Sequence, residues 1–287
     1  MNENTTYSFD QVLRYKLIEI IVLWEGRLTT NHLCQYFGIG RQQASKDINY
    51  YLKQIAPSNL FYDSSLKGYI PGVTFKPKFT FGTVDEYLTL LSEKGGNLLP
   101  FDNTNKVISQ NIELLQPPTR HIKADILRGL IQAIKNKRRI ELGYVSLNNP
   151  KIEDRIIEPH SLINTGQRWH VRAYCEKNRD FRDFVLSRFR GEIEIYDEAL
   201  IDSNKDKLWH TPARIKIIPD TRLNKAQRKI IAEDYGMKRN ALIINSRAAL
   251  VNYILKLFQL DPNKVEALPQ AQQLMIGNLS ELKKWLF

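Results

Sequence analysis

The chain has 287 residues, 43% of them hydrophobic and 25% charged, with a formal net charge of +11. The length allows two or three domains with cores of their own, and the composition excludes wholesale disorder. No apolar run approaches the roughly 20 residues needed to cross a bilayer, and Met1 to Gln11 is polar, without the apolar centre of a signal peptide. A cytoplasmic protein with no membrane partner is the expectation, and the positive charge suits a polyanionic partner. Cys34 and Cys175 lie far apart in apolar patterns, which argues against a disulfide framework or a CxxC zinc site and for buried, inert thiols.

In chain order, the pattern opens with a helix over Phe9 to Trp24, in which Leu13, Leu17, Ile20 and Trp24 share one face. Gly26 ends it. Thr30 is expected to cap a second, short helix that turns Leu33 and Phe37 inward, and Gly38 permits a sharp turn plugged by Ile39. A third helix is predicted from Arg41 to about Gln54. Its Ala44, Ile48, Tyr51 and Ile55 form one stripe, and Gln42, Lys46, Asn49 and Lys53 form another with the same spacing. The stripes are two residues out of step, about 200° around the helix, so one packs and the other presents amides and ammonium groups. Gln and Asn can pair with adenine edges, Arg with guanine, and Lys with guanine or phosphate. Arg41, Gln42 and Gln43 stand at the helix N-terminus, where recognition helices meet base edges, and Ser45 joins the same candidate set. Leu60 to Pro71 reads as a β-hairpin whose Ser65 and Lys67 can touch phosphate or the minor groove. A plain three-helix bundle would share the polar face. The order of helix, short helix, glycine turn, polar helix and hairpin nevertheless resembles the winged helix-turn-helix family over roughly residues 10–75, which implies a DNA-binding domain over 1–75 and a double-stranded DNA partner.

Lys76-Pro77-Lys78 marks a boundary before a helical connector, 76–120. Thr83 and Glu86 fit a capping box for a helix to about Lys94, Gly95-Gly96 breaks it, and another helix is expected over about Lys106 to Leu115. A further helix is predicted from His121 to Lys137. From Arg139 the period changes to two. Ile140, Leu142 and Tyr144, and later Trp169, Val171, Ala173 and Cys175, are expected to face a core, while Arg168, His170, Arg172 and Tyr174 face a pocket or solvent. With strands at Phe181 to Phe189 and Glu192 to Tyr196, a small barrel or curled sheet follows.

The segments Arg155 to Leu162, Trp169 to Cys175 and Phe181 to Phe189 resemble a WYL domain. Trp169-His170-Val171 stands at the Trp-Tyr-Leu strand of that family, and Arg182, Phe184 and Arg188 match its Arg-x-Phe-x-x-x-Arg strand. The resemblance implies an SH3-like (Sm-like) β-barrel over 121–205 that senses a nucleotide or nucleic-acid effector. It makes Tyr144, Ser146, His160, Trp169, His170, Arg172 and Arg188 the candidate ligand residues. Arginine forks suit phosphate, and His and Tyr can stack on a base; ordinary ion pairs to Glu158, Asp183 or Glu192 are the other use for Arg172 and Arg188.

Residues 206–287 alternate strand and helix, with a strand at Ala213 to Pro219, helices over Lys225 to Asp234 and Arg247 to Phe258, a strand at Leu242 to Asn245, and a last helix from Pro269 to Trp285. This small α+β domain resembles the dimerising C-terminal extension of WYL regulators. The chain as a whole, a multidomain α+β protein, resembles the BrxR/CapW group of phage-defence regulators. That resemblance implies a homodimeric repressor of a BREX-type operon, bound to an inverted-repeat operator and released by the effector. An activator of the same architecture, or a single-strand-binding accessory factor, would share these features. No Walker loop, GxGxxG, HExxH or GxSxG occurs, and the five histidines are scattered, so neither enzyme activity nor a cofactor or metal is expected.

Overall fold

The computed structural model describes residues 7–95, 115 and 117–286. They fall into two compact units, Met1–Gln116 and Pro117–Phe287. No helix among the described residues is long and apolar enough to cross a membrane.

In the first unit, α1 (Phe9–Glu25) starts from a Ser8/Gln11 capping box and stops at Gly26. It buries Leu17 and Ile20 as expected, and also Tyr15, Ile18, Ile21 and Val22, whereas Leu13 and Trp24 are each 38% exposed. The buried band is wider than one stripe because helices pack against α1 from more than one side. One neighbour is α2 (Thr30–Phe37), which is capped by Thr29, one residue before the expected Thr30; the Thr29 N–H donates to His32 Nδ1 at 2.9 Å. Gly38, at φ +64°, makes the left-handed turn into α3 (Arg41–Tyr50). The predicted reach of this helix is met, but its end, Tyr51–Ile55, is wound as a π-helical turn.

The hairpin is present as β1 (Leu60–Asp63) and β2 (Gly68–Pro71), paired antiparallel from Leu60↔Pro71 to Asp63↔Gly68. A bridge between Leu28 and Tyr69 adds a short third rung. Then α4 (Val84–Gly95) packs on α1, with Lys16 Nζ 2.6 Å from Glu86 Oε1 and Trp24 stacked on Tyr87. Glu86 therefore does not serve the predicted box with Thr83: the nearby lysine and the Thr80 hydroxyl take its carboxylate. The helix expected over Lys106 to Leu115 falls almost wholly outside the described residues.

The second unit begins with α5 (Ala124–Asn136), whose Ile126, Leu130 and Ala133 are buried against the sheet that follows. That sheet contains β3 (Arg138–Tyr144), β4 (Glu153–Asn164), β5 (Trp169–Cys175), β6 (Asp180–Val185) and β7 (Phe189–Glu198). Its order is β6-β5-β4-β3-β7, and every pairing is antiparallel. Among the described residues no ladder joins β6 to β7, so the strands make an open five-stranded sheet and the closed barrel is not seen. The predicted continuous strand from Phe181 to Phe189 is interrupted by a 3₁₀ turn, Leu186–Arg188, whose buried Leu186 pulls the chain back into the core. Ile140, Leu142, Tyr144, Val171, Ala173 and Cys175 are core residues as expected; Trp169, at the strand end, is 47% exposed.

A connecting segment carrying the short α6 (Lys207–His210) leads to a second sheet of β8 (Pro212–Pro219), β9 (Leu242–Arg247) and β10 (Leu274–Ile276), with α7 (Lys225–Asp234) and α8 (Val251–Leu257). The sheet order is β10-β8-β9. The single helix predicted from Pro269 to Trp285 is instead α9 (Pro269–Gln272), strand β10, α10 (Leu279–Leu282) and a 3₁₀ turn. The apolar run Leu274-Met275-Ile276 extends the sheet beside β8, where Leu274 joins the core.

Candidate DNA interface and effector site

On α3, Ala44 and Ile48 are buried, with Tyr51 behind them, and Gln42, Lys46, Asn49 and Lys53 are exposed. The two-stripe reading of this helix is therefore reproduced in three dimensions. Arg41 is exposed at the first helical position. Gln43 is exposed, but its amide donates to Asp47 Oδ1 at 3.0 Å, and Asn49 Nδ2 is 3.5 Å from the half-buried Ser45 hydroxyl. Asp47 lies buried on the inner side, 2.8 Å from Arg14 Nε of α1. Gln43 thus spends part of its side chain steadying the helix.

At the hairpin tip Asp63 Oδ1 accepts the N–H of Ser65 (2.8 Å) and of Leu66 (2.9 Å), and the Ser65 hydroxyl donates to it at 2.5 Å. Ser65 is thereby a turn-maker, while Lys67, exposed and at φ +48°, extends from the tip. Arg27, which the sequence pattern did not single out, donates from Nη2 to the Lys67 carbonyl at 3.4 Å and adds a second cation under the wing.

Behind these surfaces lies a buried carboxylate. Glu19, in the middle of α1, accepts the Tyr51 hydroxyl (2.7 Å) and the backbone N–H groups of Lys78 (2.7 Å), Phe79 (2.7 Å) and Thr80 (2.9 Å). Asn59 Nδ2 donates to the Tyr51 oxygen at 2.8 Å. Burial and then the Glu19 hydrogen bond push the Tyr51 phenol up, so it stays a donor. The network ties the C-terminal end of the recognition helix and the segment after the wing to α1.

In the second unit the candidate ligand residues separate into two groups. Tyr144 is a core residue, edge-on to Phe184 and Phe189, and its oxygen accepts the Val185 N–H at 3.2 Å. Ser146 accepts the Asn149 N–H at 2.9 Å in the turn after β3. Arg172 meets Asp183, the ion-pair partner that the sequence offered as its other use, and His160, His170 and Arg172 also meet Asp206 and Tyr253, which the sequence pattern did not single out. Arg172, 3% exposed, gives Nε and Nη2 to Asp206 (2.5 and 2.9 Å) and Nη1 to Asp183 (2.9 Å), and His160 Nε2 is 3.2 Å from Asp206. Burial alone would favour the neutral acid, but the hydrogen bonds from His160 and Arg172 hold the Asp206 carboxyl well below the usual carboxylate range.

His170 is 3% exposed, its ring lies 5.2 Å from that of Tyr253 on α8, and its Nδ1 has no hydrogen-bond partner. Arg168 and Arg188 are half-buried, and among the described residues neither side chain is seen in an ion pair. Burial first, then the charge of Arg168, lowers the His170 pKa from 6.5 to about 4, with Asp183 opposing and Arg188 assisting. An unfolded chain therefore takes up this proton near pH 6.5 and the folded one only near 4, so stability falls as pH drops through that window. The second unit is expected to lose about 2 kcal/mol from this group between pH 7 and pH 5. Urea midpoints at the two pH values check this, and His170→Phe should flatten the difference; an equal drop in that variant would assign the effect elsewhere.

Three family models match in the order in which the domains occur. They are the BrxR transcriptional regulator winged helix-turn-helix domain over residues 10–93, the WYL domain over 125–193, and the BrxR C-terminal dimerization domain over 212–282. Among solved structures, the chain is similar to proteasome accessory factor B/C of Arthrobacter aurescens at 16% identity and a TM-score of 0.26, over 96% of this chain and 47% of that one, a likeness too slight to bear on the fold. DNA-binding transcriptional repressors CapW are much nearer in sequence: that of Stenotrophomonas maltophilia is 28% identical over 95% of this chain and 91% of its own length. The Pseudomonas aeruginosa repressor is 32% identical with the same coverage, and that of Escherichia coli strain KTE188 is 30% identical over 95% and 90%. These relatives span the winged helix, the five-stranded sheet and the C-terminal module alike, and the chain belongs to the BrxR/CapW family of DNA-binding transcriptional repressors, which are not enzymes.

Proposed function

We propose that the chain acts as a homodimeric repressor of a phage-defence operon of the BREX type, and that two winged helices grip an inverted-repeat operator. The observation that carries this reading is the solvent-facing stripe Gln42, Lys46, Asn49 and Lys53 on a helix whose opposite face is buried, followed directly by a hairpin with Lys67 at its tip. Amides and ammonium groups in that arrangement can read base edges and phosphates together. Two-fold symmetric readers span half-sites about one helical turn apart, which the C-terminal module would provide by pairing two chains.

The same reading gives the second unit an effector of nucleotide or nucleic-acid type. Arg168 and Arg188 are cations without acid partners among the described residues, and the Nδ1 of His170 is buried and unpartnered beside Tyr253. A phosphate with an attached base would satisfy such a set by charge and by stacking. Effector binding then favours a dimer geometry in which the heads no longer match the operator spacing.

A DNA-binding titration tests this. Duplex from upstream of this protein's own gene is compared with a scrambled duplex and with a single strand, at two salt concentrations. The expected result is tight binding to the native duplex that exceeds the scrambled one by at least a hundredfold at the higher salt. Equal, weak binding that collapses with salt would mean that charge alone drives association, and preference for the single strand would replace the repressor by a strand-binding factor.

A further inference from the structure

Arg172 is a buried hub, 3% exposed, that gives three of its five N–H donors to carboxylates. Its Nε and Nη2 form a bidentate pair with Asp206 (2.5 and 2.9 Å) and its Nη1 meets Asp183 (2.9 Å), so all three nitrogens are engaged. The two carboxylates differ in how they are held. Asp183 is the register partner of Arg172 in the β5–β6 ladder, so its backbone is held by the sheet. Asp206, 1% exposed, belongs to the connecting segment; its Oδ1 accepts the Trp209 N–H at 3.1 Å, and it caps α6 immediately before β8. A second strut runs beside it. The Tyr253 hydroxyl on α8 donates to Asp183 Oδ2 at 2.8 Å, and the Tyr253 ring covers His170.

An anion arriving at Arg172 therefore has to replace a carboxylate, and the replaceable one is attached to the C-terminal module. We propose that Asp206 is an internal occupant of the effector site, a latch whose carboxylate holds the place of the effector's phosphate on Arg172 and His160 and whose displacement releases α6 and the root of β8. This rests on the effector reading above and adds the route by which occupancy reaches the C-terminal sheet. A carboxylate and a phosphate compete for the same guanidinium fork. The resting state keeps the fork filled, and the effector shifts the balance only by binding the unlatched state better. Arg168 and Arg188, whose charges act on His170 of the same strand as Arg172, favour a ligand with more negative charge than one carboxylate.

The test uses the full-length chain and two readouts. Asp206→Asn keeps the shape and the acceptor for Trp209 but removes the charge. As a folded dimer it should bind the upstream duplex about tenfold more weakly than the unchanged protein, and should bind thymidine 5′-monophosphate about tenfold more tightly, with thymidine, which carries no phosphate, as control. Unchanged operator affinity in the folded variant would overturn the latch. If Asp206→Asn does not fold, Tyr253→Phe decides, because it cuts the second strut and keeps every charge: a two- to fivefold loss of operator affinity supports the latch, and no loss overturns it. If neither the unchanged protein nor the variant binds the phosphorylated probe more tightly than its control, a phosphate-bearing effector is rejected, and with it the displacement of Asp206 by phosphate, while the operator arm still decides the coupling.

Discussion

Glu19→Gln is expected to destabilise the winged-helix unit by about 3 kcal/mol and to lower its melting temperature by roughly 12–24 °C. Glu19 is fully buried, and its two oxygens accept four hydrogen bonds, three of them from the consecutive N–H groups of Lys78, Phe79 and Thr80. Successive backbone donors of this kind make a concave site for an anion. Glutamine has the same shape but offers one oxygen and one NH₂, so an N–H is set against N–H donors and at least one buried donor loses its acceptor. Hydrogen bonds to a charged group contribute roughly 1.5–3 kcal/mol each, and an unpaired buried donor carries its full desolvation penalty. The measurement is thermal unfolding followed by far-ultraviolet circular dichroism, with Asn59→Ala as a milder companion, since Asn59 bonds both Tyr51 and the Lys76 backbone. A melting temperature within about 2 °C of the unchanged protein would show, on the scale of roughly 4–8 °C per kcal/mol, that the network does not hold the unit together.

The recognition helix is legible in the sequence because a helix buried on one side repeats its apolar residues at fixed spacing, as Ala44, Ile48 and Tyr51 do. Glu19 is not, because in the same kind of pattern an acidic residue reads as solvent-facing and its backbone partners lie 59 to 61 positions away in a segment without periodicity. Asp47 is hidden for the same reason beside its buried neighbour Ile48. In the sheet, alternation separates Val171, Ala173 and Cys175 from His170 and Arg172, and the first set is core. What covers the second set has no local signal: Asp206 is 34 residues beyond Arg172, and Tyr253 is 70 residues beyond its partner Asp183. The family motif locates Arg172 and His160, and the alternative of an ion pair from Arg172 to Asp183 is realised. The unexpected β10 has a related cause, since a three-residue strand between short helical turns gives too little period to recognise.

Gln42→Ala combined with Lys46→Ala is expected to abolish specific operator binding, reducing affinity by about a hundredfold or more, while leaving the fold intact. Both residues are exposed on the outer stripe of α3, and substitutions at such positions usually change stability by less than about 0.5 kcal/mol. The single variants separate base reading from phosphate binding. A glutamine that reads an adenine edge is worth roughly 1–3 kcal/mol of discrimination, so Gln42→Ala should relax preference at one base pair in each half-site and leave the salt dependence alone. A lysine on phosphate acts on every sequence alike, so Lys46→Ala should weaken native and scrambled duplexes together and reduce the slope of log affinity against log salt by about 0.9 for each phosphate that Lys46 neutralises. Gln43→Ala differs from both: because Gln43 bonds the buried Asp47, it should cost stability before it costs specificity. Titrations of the three single variants on native and mismatched duplexes, each with its melting temperature, distinguish these outcomes. Unchanged operator affinity in both Gln42→Ala and Lys46→Ala would remove α3 from the groove, and the reading surface would then have to be sought around Arg27 and Lys67, the exposed cations at the wing of the same unit.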